Sequence, residues 1–170
     1  MQRKSFGDMP CPIARSLEPV GAWWSSLILR DAFRGLIHFD QFQRNPGIAP
    51  NMLTRRLSAL VENGLLERRR HIEHPPRDEY LPSERGRHFR PVLRALLASG
   101  NEHFAPEGAS VVVIDKETGL QADPVLVDRV SGKVMSHETF RSVPGPAAGE
   151  RTRARHPAPA ITRADAEHTP

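Results

Sequence analysis

The stretch PNMLTRRLSALVENGLLERRR, residues 50–70, constrains the fold most because its hydrophobic period changes once along its length. In its first part, apolar residues recur at the spacing of one helix face. These residues are Leu53, Leu57, Leu60 and Val61. Gly64 suits the end of such a helix, and the chain beyond it favours two short strands around a proline-rich tip. We therefore predict a helix over about 50–63 and a hairpin over about 66–81.

The opposite face of helix 50–63 has few long charged side chains and carries small or hydrogen-bonding groups instead. Arginine can pair with guanine and asparagine with adenine, so such a face suits a DNA groove as well as plain solvent. The candidates for base contact are Asn51, Met52, Thr54, Arg55 and Ser58. The candidates for the DNA backbone or minor groove are Arg56, Arg68, Arg70 and Arg77. Strand alternation predicts that Arg68 and Arg70 share a face and that Arg69 points away.

The distribution of charge agrees with an anionic partner. The formal net charge is +4, and residues 1–104 carry 16 lysines and arginines against 11 aspartates and glutamates. The rest of the chain carries 8 against 9, so the basic character belongs to the first part. This balance favours binding of nucleic acid without proving it.

Short helices surround the predicted helix and hairpin. We predict helices over about 11–20 and 22–34, a third that starts near Asp40, and a last one over about 84–104 that begins at Ser83 and tolerates Pro91 with a kink. The fold class is therefore α+β: a mainly helical winged helix-turn-helix domain with a two-stranded wing and a small C-terminal β-hairpin extension.

The chain after residue 104 has a different character. VIDKETGLQ at 113–121 resembles LVDRVSGKV at 126–134, and each copy predicts a small hairpin with a D-x-x-[ST]-G turn. The expected organisation has four parts: a flexible arm at 1–10, the winged domain at 11–104, the hairpin extension at 105–143 and a disordered tail at 144–170.

These features together resemble the HxlR-type transcriptional regulators, bacterial winged helix-turn-helix proteins related in architecture to MarR-type regulators. The resemblance covers about residues 10–104. Its matched positions are Cys11-Pro12, Trp24, Leu27-Ile28-Leu29-Arg30, Gly35, Phe39, Phe42, Gly47-Ile48, Leu53, Arg56-Leu57, Leu60, Gly64-Leu65, Arg68, Tyr80 and Gly86. The departures from the family pattern are Trp23 in place of a basic residue, Ala49 in place of a serine, Pro82 in place of a leucine and Ser83 in place of a threonine.

The resemblance implies a homodimer that binds double-stranded DNA at a pseudo-palindromic operator, as a repressor or an activator, with no catalysis and no cofactor. The first and last helices would pack across the two-fold axis. The residues expected there are Ile13, Leu17, Phe89, Val92, Leu93, Leu96 and Leu97. A small-molecule effector is a further possible partner, either at the hairpin extension or at a cavity beside Trp23.

Three alternatives accompany this hypothesis. Cys11 stands where some relatives have a redox- or electrophile-sensing cysteine, although it also suits a half-buried position in the dimer arm. The domain is alternatively a protein-protein interaction module whose basic hairpin serves solubility. His71 and His74 lack a third ligand nearby, so we expect no metal site.

Enzyme motifs and membrane signals are both missing from the sequence. The chain has no P-loop, GxSxG, HExxH or GxGxxG sequence, so we expect no enzymatic activity. No apolar run approaches the roughly 18–20 residues of a membrane span, and no apolar segment follows the basic N-terminus. We therefore expect a cytoplasmic protein without a membrane partner.

Overall fold

The computed structural model describes residues 11–44, 47–71 and 77–155. The arm predicted at 1–10, the wing tip with His74 and the segment 156–170 lie outside the described residues. The chain divides into two compact units, Met1–Pro124 and Val125–Pro170.

The first unit contains six helices and a two-stranded sheet within its described residues. The elements are α1 (Pro12–Val20), α2 (Trp23–Phe33), α3 (Phe39–Arg44), α4 (Pro50–Glu62), β1 (Leu66–His71), β2 (Arg77–Pro82), α5 (Glu84–Arg87) and α6 (Arg90–His103). This order confirms the predicted winged helix-turn-helix architecture. In the second unit, the described chain contains α7 (Glu150–Arg155).

The leucine stripe of α4 forms the centre of the core, as its spacing predicts. Leu53, Leu57 and Leu60 are at most 1% exposed. They pack in one cluster with buried residues of α2 and α3, including Ile28, Leu29 and Phe42. Each buried side chain of this size stabilises the fold by about 1.5–3 kcal/mol relative to exposure, so this stripe fixes which face of α4 is left for solvent.

Glycine ends α4 and redirects the chain into the wing. Gly64 adopts φ +68, a left-handed conformation that favours glycine. The Leu65 amide then donates to the Leu60 carbonyl at 2.8 Å. At the other end, no side chain in the described structure caps α4 at Ala49, in agreement with the loss of the family's serine.

The wing is an antiparallel pair with Leu66 opposite Pro82 and His71 opposite Arg77. The Tyr80 amide donates to the Ile37 carbonyl at 2.8 Å, which fastens β2 to the segment before α3. The Tyr80 ring meets the buried Phe42 ring edge to face, with centroids 6.5 Å apart. The root of the wing is thus held to the core by both backbone and aromatic contacts.

The single helix predicted over 84–104 is wrong in one respect, because the structure has two helices, α5 and α6, in its place. Pro91 lies in the first turn of α6, where its missing N–H costs nothing, so the proline begins a helix and does not kink one. The predicted start at Ser83 is confirmed: Ser83 Oγ accepts from the Gly86 amide at 2.9 Å and donates to the Gly64 carbonyl at 2.6 Å.

The third helix starts within one residue of the predicted Asp40, but Asp40 does not cap it. It begins at Phe39, and Asp40 forms an ion pair with Arg44 one turn later. Gln41 Oε1 accepts from the Ile37 and His38 amides, at 2.9 and 3.0 Å. Gln41 thus bonds back to the backbone just before the helix, as the glutamine of a capping box does.

The two copies of the internal repeat form equivalent turns, one in each unit. In the first, Asp115 Oδ1 accepts from the amides of Glu117 and Thr118, and Ile114 bridges Gln121. In the second, the Asp128 carboxylate accepts from the amides of Val130 and Ser131, and Val127 bridges Val134. Gly119 and Gly132 close the turns with φ of +71 and +68.

The segment expected to be disordered, 144–170, is described as far as residue 155. It contains the six-residue α7, which has no buried residue among those described. The boundaries proposed for the four parts of the chain otherwise stay predictions.

Candidate nucleic-acid interface

The exposed face of α4 carries four of the five residues that were expected to face bases. Asn51, Thr54, Arg55 and Ser58 are all exposed. Thr54 Oγ1 donates to the Pro50 carbonyl at 3.0 Å, so this hydroxyl already satisfies one carbonyl of its own helix. Asn51 and Arg55, four residues apart, offer amide and guanidinium groups from neighbouring turns of one face.

Two other residues expected at the DNA, Met52 and Arg56, are only partly exposed. Met52 is half-buried and packs against the core cluster. Arg56 is also half-buried, and its Nε is shielded from solvent with no hydrogen-bond partner among the described residues. Both flank the leucine stripe, and the angle of a residue on the helix does not decide there whether its side chain packs or stays exposed.

The wing arginines confirm the predicted alternation. Arg68 Nη2 lies 2.5 Å from Asp78 Oδ2, and Arg70 Nε lies 3.7 Å from Asp78 Oδ1. Arg69, on the other face, pairs with Glu67 at 3.0 Å. Each of these guanidiniums keeps at least half of its side chain exposed, so the pairs orient the arginines without removing them from solvent.

Asp78 is the electrostatic centre of one wing face. The hydrogen bond from Arg68 lowers the pKa of the Asp78 carboxyl below its ordinary value, and burial acts in the opposite direction. Burial raises the pKa of the neighbouring Tyr80, with Arg68 opposing the shift. Asp78 is therefore an anion that holds two arginines side by side.

Arg77 is the first residue of β2 and is exposed. It lies opposite His71 in the register, next to the wing tip that is outside the described residues. It therefore stands at the end of the wing farthest from Leu66, which is buried at the root.

Of the residues expected at a dimer interface, some are exposed and others pack against the rest of the chain. Ile13 and Leu17 on α1 are 72% and 44% exposed, and Val92 and Leu96 on α6 are 46% and 58% exposed. Phe89 and Leu93 pack against the core cluster, and Leu97 is half-buried beside a cavity of about 350 Å³. No residue of α6 is buried by the rest of the described chain, although the helix is amphipathic.

Cys11 is exposed at the position that precedes α1. Its carbonyl accepts from the Arg15 amide at 3.1 Å, so the cysteine backbone belongs to the first turn of the helix. Metal ligation has no support in the part of the chain that the structure describes, where no three His, Cys, Asp or Glu side chains cluster.

The sequence is similar to a known protein family and to known transcriptional regulators. A family model described as HxlR-like helix-turn-helix matches residues 19–108, which contain α2 to α6 and the wing. The chain belongs to this family. β1 and β2 form the wing of its winged helix-turn-helix fold.

Named relatives of this HxlR-like protein are transcriptional regulators. An uncharacterized HTH-type transcriptional regulator of Mycobacterium tuberculosis strain H37Rv is 37% identical over 135 residues, 79% of this chain and 85% of the relative. One of Synechocystis is 33% identical over 63% of this chain and 80% of the relative. These similarities show a helix-turn-helix transcriptional regulator.

Solved structures extend the similarity beyond the family domain. PA1374 of Pseudomonas aeruginosa, described as a candidate transcription factor, is 49% identical over 85% of this chain and 99% of its own, with a TM-score of 0.61. PA1607, described in the same way, is 34% identical over 82% of this chain and 98% of its own, with a TM-score of 0.74. Residues 1–108 alone are too few for these shares, so the similarity includes part of the segment after residue 108.

A third solved structure is a redox regulator, HypR, in its reduced form. It is 28% identical over 54% of this chain and 92% of its own, with a TM-score of 0.52.

None of the helices that the structure describes combines the length and the apolar character of a membrane span.

Proposed function

We propose that this HxlR-like regulator binds a specific double-stranded DNA site as a homodimer and performs no catalysis. The observation that carries the proposal is the exposed face of α4, where Asn51 and Arg55 project from a helix fixed by its buried leucines. Both side chains suit base edges in the major groove, which admits one α-helix. A regulator that binds DNA in this way would work in the cytoplasm.

The wing supplies the second part of the proposed interface. Arg68, Arg70 and Arg77 would contact phosphates or the minor groove beside α4, which is the recognition helix in this proposal. Asp78 supports this role because it holds Arg68 and Arg70 on one face. Met52 and Arg56 are left out of the proposed DNA contacts, since both side chains are half-buried in the domain.

The proposed dimer uses the apolar residues that the single chain leaves exposed on α1 and α6. Ile13 and Leu96 are each more than half exposed, and α6 has no residue buried against the described chain. Apolar residues that stay exposed on an amphipathic helix favour a partner, and a two-fold axis would set two copies of α4 one DNA turn apart, roughly 34–36 Å.

A protein-protein interaction module is the competing reading of the same domain. Titration of the full chain with random-sequence duplex at two salt concentrations distinguishes the two. The proposed function predicts binding that weakens steeply as salt rises, because phosphate contacts release counterions. Absence of salt-dependent binding to any duplex would support the interaction module and contradict the proposed function.

Redox control through Cys11 is a second proposed property, favoured by the exposure of this thiol and by the likeness to the redox regulator HypR. The sequence contains one cysteine, so a disulfide within this chain is excluded, and oxidation would join Cys11 to another chain or to a small thiol. Operator affinity of the wild type and of Cys11→Ser, with and without diamide, tests this property. Diamide should change the affinity of the wild type alone, and identical responses would exclude Cys11 as the sensor.

A further inference from the structure

A small cavity lies beside the recognition helix, at the junction of α1 and α2. Its volume is about 240 Å³. The residues that line it are Gly21, Ala22, Trp23, Trp24 and Arg56. Both tryptophans of the sequence are therefore at this cavity, together with one cation.

Arg56 gives the cavity its charge. It stands on α4 directly after Arg55, but its side chain turns from the exposed face toward α2. Its Nε is buried and donates no hydrogen bond to any described residue. A buried donor of a charged group that lacks an acceptor is costly, so an anion in the cavity would satisfy it.

Trp23 gives the cavity an aromatic wall that is open to solvent. Its side chain is 89% exposed, whereas Trp24 packs partly against the core cluster. An indole that is left in water at a cavity mouth gains free energy when a flat apolar ligand covers it. The first turn of α2 lies at the same place, and Ala22 provides no side-chain cap for its N–H groups.

We propose that this cavity binds a single-ring aromatic carboxylate. The ring would lie against the indole of Trp23, and the carboxylate would accept from the Arg56 guanidinium. The volume is below the range of about 300–1,000 Å³ that is typical of sites for drug-sized ligands, which restricts the occupant to one ring. In the proposed function this ligand is an effector, because the residue that holds its charge belongs to the recognition helix.

Intrinsic tryptophan fluorescence of the full chain tests the proposal directly, since both tryptophans line the cavity. Benzoate is the probe, benzamide is the neutral isostere, and cyclohexanecarboxylate is the anion without an aromatic ring. We expect saturable quenching by benzoate and at least tenfold weaker binding of each control. Equal responses to benzoate and benzamide, or no saturation, would overturn the proposal.

Variants assign the binding to these residues. Arg56→Gln should abolish the preference for benzoate over benzamide, whereas Arg55→Gln, its exposed neighbour, should retain it. Trp23→Ala should weaken benzoate binding while Trp24 still reports it, and this variant changes a side chain that supports little of the fold. Unchanged binding in Trp23→Ala would contradict the aromatic wall even if Arg56→Gln failed to fold.

Only the role of the ligand as an effector rests on the proposed function, and its binding to the cavity does not. The fluorescence titration contains no DNA, so failure of DNA binding would contradict the regulator and leave the ligand site standing. If Trp23 instead lies in a contact between two copies, its fluorescence will depend on protein concentration and not on benzoate. That result would overturn the ligand site without affecting DNA binding.

Discussion

Arg68 donates to Asp78 across the wing at 2.5 Å, and the same carboxylate lies 3.7 Å from Arg70. One acidic residue therefore orients two of the cations that we propose for phosphate contact. The arrangement offsets part of their charge while it fixes their positions. Specificity and non-specific affinity are thus expected to change in opposite directions when Asp78 is altered.

Replacement of Asp78 by asparagine tests this balance. Asp78→Asn removes the anion beside Arg68 and Arg70, so binding to random duplex should tighten and its dependence on salt should steepen by about one counterion. Glu67→Gln changes the net charge equally but releases Arg69, which points away, and should have a smaller effect. Fluorescence anisotropy at several salt concentrations measures both, and equal effects would show that net charge alone matters.

The short helix α5 is predicted to be intolerant of a side chain at Gly86. A Cβ there would collide with the Leu65 carbonyl oxygen, and the Gly86 amide is already engaged with Ser83 Oγ. Gly86→Ala should lower the free energy of unfolding by about 1–3 kcal/mol. Gly100→Ala, in open space on α6, should be neutral or stabilising by up to about 1 kcal/mol. Urea denaturation compares them, and equal stabilities would contradict the steric account.

Leu96 is predicted to lie at the dimer interface. Leu96→Asp should produce a monomer in light scattering and weaken operator binding, because two linked recognition helices bind more tightly than one. Leu120→Asp makes the same change at a residue that is 69% exposed in the repeat turn, and this variant should stay dimeric. A dimeric Leu96→Asp protein would place the interface elsewhere.

The carboxyl of Asp128 is predicted to titrate below the ordinary aspartate range. The hydrogen bond from Ser131 is the largest cause of its lowered pKa, followed by backbone amides. A lowered folded pKa means that the turn is stabilised above the ordinary value of about 3.9 and loses this contribution as pH falls through the folded pKa. Ser131→Ala should raise the pKa of Asp128 and leave that of Asp115 unchanged in an NMR titration. No movement at Asp128 would contradict this assignment.

Much of the first unit could be predicted from residue spacing. The stripe of Leu53, Leu57 and Leu60 defined the buried face of α4, and Gly64 marked its end. Both signals are local, since they depend on the helical period and on a backbone conformation that favours glycine. The hairpin and the alternation of its arginines followed from the period of a strand.

Two details of side-chain placement could not be predicted from residue spacing alone. Gln41 accepts from amides three and four residues earlier, the position of a capping-box glutamine, whereas residue type alone favours Asp40 as the cap. The angle of Arg56 on the helix lies between the buried and exposed faces, so the helical period does not fix which way its side chain turns. Its side chain lines a cavity at the start of α2, more than thirty residues earlier in the sequence, and helical periodicity does not predict this placement.

The central claim is that the exposed face of α4 reads sequence while the wing holds the backbone. Affinities of Arg55→Ala and Arg70→Ala for the operator selected by the wild-type protein, and for random duplex, test it most directly. Arg55→Ala should lose about 1–3 kcal/mol on the operator and little on random duplex. Arg70→Ala should weaken both equally and flatten the salt dependence. Wild-type affinity and salt dependence in both variants would contradict the claim.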